Sequence, residues 1–185
     1  MEALALLELD SIAGGYRTAD ALMKTARVRL LEMRPLDPGK FLILFRGPEG
    51  EVDAAYRRGA ETAGADLVDQ VHLHAAHPSL FPLLEGERPE AAIDALGVIE
   101  TGSAASAVLA ADGAAKAAPV TILRLHLARR IGGKGYLILT GEQADVEAAV
   151  AAGSARARER ERLVAETVIP APTEEIFDRL TAEWI

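Results

Sequence analysis

Two tandem α+β domains, each running strand, helix, strand, strand, helix, strand and then a short helix, are predicted by three features of this 185-residue chain. The first is an internal repeat. Glu8, Ala19, Asp20, Lys24 and Val28 return at one constant spacing as Glu100, Ala111, Asp112, Lys116 and Val120. The spacing then lengthens by two residues, pairing Lys40 with Lys134, Gly47 with Gly141 and Gly59 with Gly153. The second feature is the switching of apolar period within each copy between that of a strand and that of a helix. The third is the glycine and proline punctuation between those segments. Two long copies are too few for a solenoid, so they read as like domains packed about a pseudo-twofold relation, residues 1–86 and 95–185 joined by a polar linker at 87–94.

Each element follows in order. ALALLEL is a first strand, and YRTADALMKTA then places Ala19, Leu22, Met23 and Ala26 on one helical stripe. RVRLLEMR gives a second strand, PLDPG a tight loop, and KFLILF a third strand whose unbroken apolar run predicts burial on both faces. Gly47-Pro48-Glu49 starts a second helix, with an acidic residue near the positive end of its dipole. That helix carries Val52, Ala55, Tyr56 and Gly59, matched by Val146, Ala149, Val150 and Gly153. A mid-helix glycine costs about 1 kcal/mol relative to alanine, so its recurrence predicts close backbone approach there. ADLVDQVHL and ERLVAETVI supply the fourth strands. The result is an antiparallel sheet with helices on one face in each copy.

Composition narrows the function classes. Half the residues are apolar but only 4% are aromatic, so alanine, leucine and valine build a closely packed core. The absence of cysteine excludes disulfides, thiolate metal sites and cysteine nucleophiles, and fits a reducing compartment. A net charge of −8 gives no electrostatic footprint for nucleic acid or an anionic membrane. No apolar run approaches a membrane span and MEALALLELD lacks a basic leader, so a cytoplasmic location is expected. No nucleophile–base pair or paired carboxylates stand out, so no catalytic residue is assigned.

ADALMKTARV and ADGAAKAAPV resemble the helix-to-strand segment of bacterial microcompartment shell domains, in which a lysine sits at the tile edge. GKFLILFRGPEGEVDAA and GKGYLILTGEQADVEAA are similar to that family's pore loop, third strand and second helix, and VIPAPTEEIF to its fourth-strand exit. Two such domains in one chain resemble the tandem-domain trimeric class, most of all its propanediol-utilisation representatives. The resemblance implies a non-enzymatic shell component: a homotrimeric pseudohexamer tiling edge to edge with other shell proteins, with small metabolites crossing a central pore. It implies tile-edge contacts at Lys24 and Lys116. It also implies a pore lined by Leu36, Asp37, Pro38 and Gly39 from one loop and by Arg130, Ile131, Gly132, Gly133 and Gly135 from the other. Arg129 and Arg130 would favour anionic solutes there, with Asp37 opposing them. Where the family writes arginine and histidine at the strand exit, this chain has Ala171 and Thr173, which weakens the usual pairing between tiles.

Other motifs carry less. His72, His74 and His77 have metal-binding types, but no completing ligand is assignable and no metal is expected. His126 reads as a satisfied strand residue. GGKG lacks phosphate-loop spacing. Cluster-bearing tandem relatives ligate iron–sulfur through cysteine, which this chain lacks, so no cofactor is expected. ARARERER reads as a solvated helix end, and Ile176, Phe177, Leu180 and Trp184 form an apolar stripe on the last helix. The alternative from another class is a trimeric small-molecule-binding regulator or enzyme using clefts between the domains.

Overall fold

The computed structural model describes residues 2–89, 91 and 94–181. The first copy comprises β1 (Glu2–Leu9), α1 (Ile12–Thr25), β2 (Arg29–Leu36), β3 (Lys40–Pro48), α2 (Glu49–Ala63), β4 (Leu67–Leu73) and α3 (Leu80–Leu84). The second repeats it as β5 (Ala95–Thr101), α4 (Ala104–Ala117), β6 (Thr121–Leu127), β7 (Gly135–Gly141), α5 (Gln143–Arg158), β8 (Leu163–Ile169) and α6 (Glu174–Thr181). Each makes one four-stranded sheet, ordered β2-β3-β1-β4 and β6-β7-β5-β8, with every pairing antiparallel.

Local chemistry sets the helix starts. Ser11 Oγ accepts the Gly14 N–H at 2.9 Å, and Ser103 Oγ accepts the Ser106 N–H at 3.1 Å, so both first helices begin at serine caps in equivalent positions. The second helices lie against the first. A Cβ on Gly153 would come within 2.7 Å of the Ala110 carbonyl oxygen, and one on Gly59 within 2.5 Å of Leu7 Cδ1. Gly153 thus makes the close backbone approach that the paired glycines predict, whereas Gly59 is crowded by side chains alone.

The first sheet is covered on both faces. Ala3, Ala5, Leu7, Phe41, Ile43 and Phe45 pack under α1 and α2. Leu4, Leu6, Leu42, Leu44, Val71 and Leu73 point the other way, into a core shared with Leu80 of α3 and with Ala104, Ala105 and Val108 of α4. Glu85, at the end of α3, meets Arg29 at 3.2 Å and Arg46 at 3.3 Å, which fixes α3 beneath β2 and β3. α1 and α2 therefore cover one face of this sheet, and α3 of the same copy together with the other copy's α4 closes the opposite face, so the helices are not confined to one face as expected. That accounts for the unbroken apolar runs of β1 and β3. Trp184 and the side chain of Phe177 lie outside the described residues.

Candidate functional site

The two copies meet where α4 lies against β4 and β1, and polar groups concentrate on this seam. Glu8 is fully buried; its carboxylate takes Lys40 Nζ at 3.0 Å and the Ala104 N–H at 3.0 Å. One carboxylate thus neutralises a lysine of its own sheet and caps the other copy's helix. Asp69 accepts the hydroxyls of Ser103 and Ser106, and Arg160 Nη1 lies 3.2 Å from it. Arg162 reaches the same carboxylate at 4.0 Å. Most of ARARERER is exposed, as read, but Arg160 and Arg162 also reach across the seam, a pairing between residues far apart in sequence.

At one end of the seam, Asp112 Oδ1 accepts the His77 N–H at 2.8 Å, while Lys116 Nζ donates to the Ala75 carbonyl and to Asp112, both at 2.6 Å. The structure so brings one expected edge lysine to the fourth-strand exit of the other copy. Lys24 occupies the equivalent place on α1, exposed and bonded to Asp20 at 2.7 Å.

At the other end the turn around Asp37, Pro38 and Gly39 touches the β6–β7 loop: a Cβ on Gly133 would stand 3.0 Å from the Asp37 carbonyl oxygen. The longer loop takes left-handed backbone at Ala128, Arg130, Gly132 and Gly133. Asp37, Pro38, Gly39, Arg130, Ile131 and Gly132 are exposed. Three expected pore residues are not. Leu36 ends β2 pointing into the shared core. Gly133 is covered by the Asp37 turn, and Gly135 is pressed on α4, where a Cβ would meet the Ala107 Cβ at 2.6 Å and the Ser103 carbonyl oxygen at 2.7 Å. Arg129 also leaves the loop tip, pairing with Glu32 at 3.2 Å, and Glu32 holds Arg34, whose Nη2 donates to the Leu127 carbonyl. Arg130 is then the arginine left at the tip.

The histidines divide. His72 and His74 lie with tilted rings, centroids 4.0 Å apart, Tyr56 meets His72 at 4.9 Å, and His74 Nδ1 lies 3.3 Å from Glu49. Burial, then the neighbouring His74, holds the pKa of His72 below the usual histidine value. His77 Nδ1 bonds Ser79 Oγ at 2.8 Å. Among the described residues no group of three or more His, Asp and Glu side chains could hold a metal ion. His126 is not satisfied as expected: it stacks on Tyr136 at 4.9 Å, and its buried Nδ1 has no hydrogen-bond partner among the described residues. No helix among the described residues is long and apolar enough to cross a membrane.

A comparison of helix faces adds the decisive asymmetry. On α4, residues Ala104, Ala105, Val108, Asp112 and Ala115 are buried against the first copy. The equivalent positions of α1 are Ile12, Ala13, Tyr16, Asp20 and Met23, and there Ile12, Tyr16 and Met23 stand 43%, 55% and 43% exposed. Likewise β8 leaves Val164 to Glu166 exposed, where the matching stretch of β4 lies against α4. The seam was missed from sequence, although one signal was present: α4 is apolar nearly all round while α1 is not, the mark of a helix buried on two faces.

The model of the BMC domain matches residues 3–77 and again 95–172. The bacterial microcompartment shell protein PduT of Citrobacter freundii is 40% identical over 179 residues, covering 97% of each chain. The carboxysome shell protein CsoS1B of Hydrogenovibrio crunogenus is 40% identical over 89 residues, 46% of this chain and 92% of its own length, so it spans about one copy. A crystal structure of a microcompartment protein from Desulfitobacterium hafniense DCB superposes with a TM-score of 0.88 at 40% identity, covering 96% of this chain and 99% of that one.

Proposed function

Because the chain belongs to the BMC-domain family and carries that domain twice, we propose that it is a structural shell protein of a bacterial microcompartment, three copies of which close into a pseudohexagonal plate around a central pore. The shell role rests on a relative that is itself a microcompartment shell protein and matches 97% of this chain. Ring closure rests on one observation: the positions buried on α4 are exposed on α1, and the surface that receives α4 on β4 is exposed on β8. Placing the next chain's α1 on β8 repeats the relation between the two copies as a heterologous contact, which in the proposed plate closes after six domains. A tandem chain reaches six domains with three copies.

Repeating the seam sets the rest of the plate. Consecutive loops touch as Gly133 touches the Asp37 turn, so six loops gather around one axis and form its aperture. Arg130, at the exposed tip of the longer loop, then contributes one guanidinium per chain to a ring of positive charge that favours anionic solutes. Lys116 lies beside Ala75 and His77 at the outer end of the seam, and Lys24 takes the matching place beside Ala171 and Thr173 of a neighbouring chain, so the edge carries two alternating kinds of lysine contact. The role is structural and permeability-setting, with no chemical step.

Two experiments test this reading. Electron microscopy of the purified protein is expected to give threefold discs that pack into sheets; discrete particles that never meet edge to edge would favour the regulator or enzyme reading. For the pore, Arg130→Glu in reconstituted shells is expected to reduce anion flux, and unchanged selectivity would remove Arg130 from the aperture.

A further inference from the structure

Two acids hold the start of α4 from across the seam. Glu8 Oε2 takes the Ala104 N–H, and Asp69 takes the hydroxyls of Ser103 and Ser106. Strand register identifies their counterparts. Glu8 pairs with Leu42 and Asp69, Glu100 pairs with Tyr136 and Ala165, and a bulge follows each glutamate. Ala165 therefore stands at the place of Asp69. The matching serine caps, Ser103 and Ser11, put Ile12 at the place of Ala104 and Gly14 at that of Ser106. The two glutamates are set alike, since Lys40 Nζ meets Glu8 Oε1 at 3.0 Å and Lys134 Nζ meets Glu100 Oε1 at 2.6 Å. In Glu8 the second oxygen faces the other copy's helix; in Glu100 that oxygen has no hydrogen-bond partner among the described residues.

Resting on the trimeric ring, we propose that Glu100 Oε2 accepts the N–H of the partner's Ile12, so that each chain caps the first helix of the next. The helix α1 is prepared for this. Its serine cap serves Gly14, it has no acidic residue in its first turn, and the Ile12 N–H is one of the donors that a helix start leaves free. A carboxylate there gains from the positive end of the dipole and from a charge-assisted bond. Glu100 acts without a second acid, because Ala165 supplies none. The incoming helix carries one of its own instead: Asp66 Oδ2 lies 2.5 Å from where a Gly14 Cβ would stand, the position that the Ser106 side chain takes on α4. Ala165 leaves room for that carboxylate and sets no negative charge against it. At this end of the helix the contact between chains thus has one polar anchor where the contact within the chain has two.

The test is a double-variant cycle on assembly of the full chain, read by sedimentation over a range of concentrations. Glu100→Ala removes the acceptor. Ile12→Pro removes the donor and keeps the helix, because proline suits the first helical position and Ser11 already has the extended backbone that precedes a proline. Each variant is expected to raise the chain concentration needed for half-assembly by about tenfold, since every trimer loses three charge-assisted bonds. Glu100→Ala is expected to cost at least about threefold less in the Ile12→Pro background than alone. Hydrogen exchange gives a second reading. At concentrations that restore the Glu100→Ala trimer, the Ile12 amide is expected to exchange at least about tenfold faster than in the parent trimer. The inference is overturned if the two costs simply multiply, or if the Ile12 amide exchanges alike in both trimers. A parent chain that forms no trimer would instead overturn the ring on which the inference rests, so the two failures are distinct.

Discussion

Ala104 donates its backbone N–H to Glu8 Oε2 at 3.0 Å, so a buried carboxylate on the first strand of one copy caps the first helix of the other. The second copy keeps the same acid and lysine, Glu100 and Lys134 at 2.6 Å, but there Glu100 is 33% exposed where Glu8 is fully buried. One motif thus stands in two settings, and the difference is the presence of a helix across the seam.

Glu8→Ala is expected to destabilise the monomer by about 3 kcal/mol, because it strands a mostly buried lysine and uncaps α4. Glu100→Ala is expected to cost under about 1 kcal/mol in the monomer, being a partly exposed pair, yet to weaken assembly. Chemical denaturation and sedimentation separate the two effects; equal losses of monomer stability would contradict the assignment.

Tyr16→Glu is expected to leave the melting temperature of the isolated chain within a few degrees, since Tyr16 is 55% exposed, and to abolish trimers by setting a charge into an apolar contact. The matching change on α4, Val108→Glu, is expected to prevent folding, because Val108 is fully buried. Trimers that survive Tyr16→Glu would remove α1 from the contact.

Gly135→Ala is expected to destabilise by about 1–3 kcal/mol through overpacking against Ser103 and Ala107, where a pore-lining glycine would accept alanine silently. Gly153→Ala is expected to do likewise, because the obstruction is the Ala110 carbonyl oxygen; Gly59→Ala is expected to cost less, because it meets the movable tip of Leu7. Thermal unfolding of the three variants provides the ranking, and a neutral Gly135→Ala would return that residue to the aperture.

Stability is expected to fall with acid in the range where histidine titrates. His72 is held below its usual pKa by burial and by His74, with Arg57 adding to the effect and Asp53 and Glu49 opposing it. His126 is held low by burial and by Arg34, Arg124 and Arg129, against Glu32. A histidine with a lowered folded pKa binds fewer protons folded than unfolded. Its stabilisation is therefore present above the unfolded pKa of about 6.5 and is lost as pH falls toward the folded value. Melting temperature is expected to drop between about pH 7.5 and pH 5.5, and His72→Gln with His126→Gln to flatten that slope. An unchanged slope in the double variant would assign the drop to other groups.

The tandem fold was legible because both copies obey one register and spell the same caps, turns and helix stripes. The repeat also marked Lys116, whose ammonium the structure places on the Ala75 carbonyl and Asp112 within the chain. The errors cluster where parity slips. Bulges between Leu30 and Glu32 and between Ile122 and Arg124 break the alternation of β2 and β6, and Leu36, assigned to a loop, ends its strand facing the core. Gly135 was read by its position after Gly-Lys, while its neighbours across space are Ala107 and Ser103. The seam charges were invisible for a related reason: Asp69 and Arg160, or Glu32 and Arg129, lie about half the chain apart, and no local pattern joins them.

The central claim is that the contact between the two copies is repeated between chains until it closes. Sedimentation equilibrium of the unmodified chain tests it most directly. The account expects a single species of three times the chain mass at micromolar concentration, losing its trimer on Tyr16→Glu. A stable monomer, or a twofold dimer unaffected by that substitution, would contradict it.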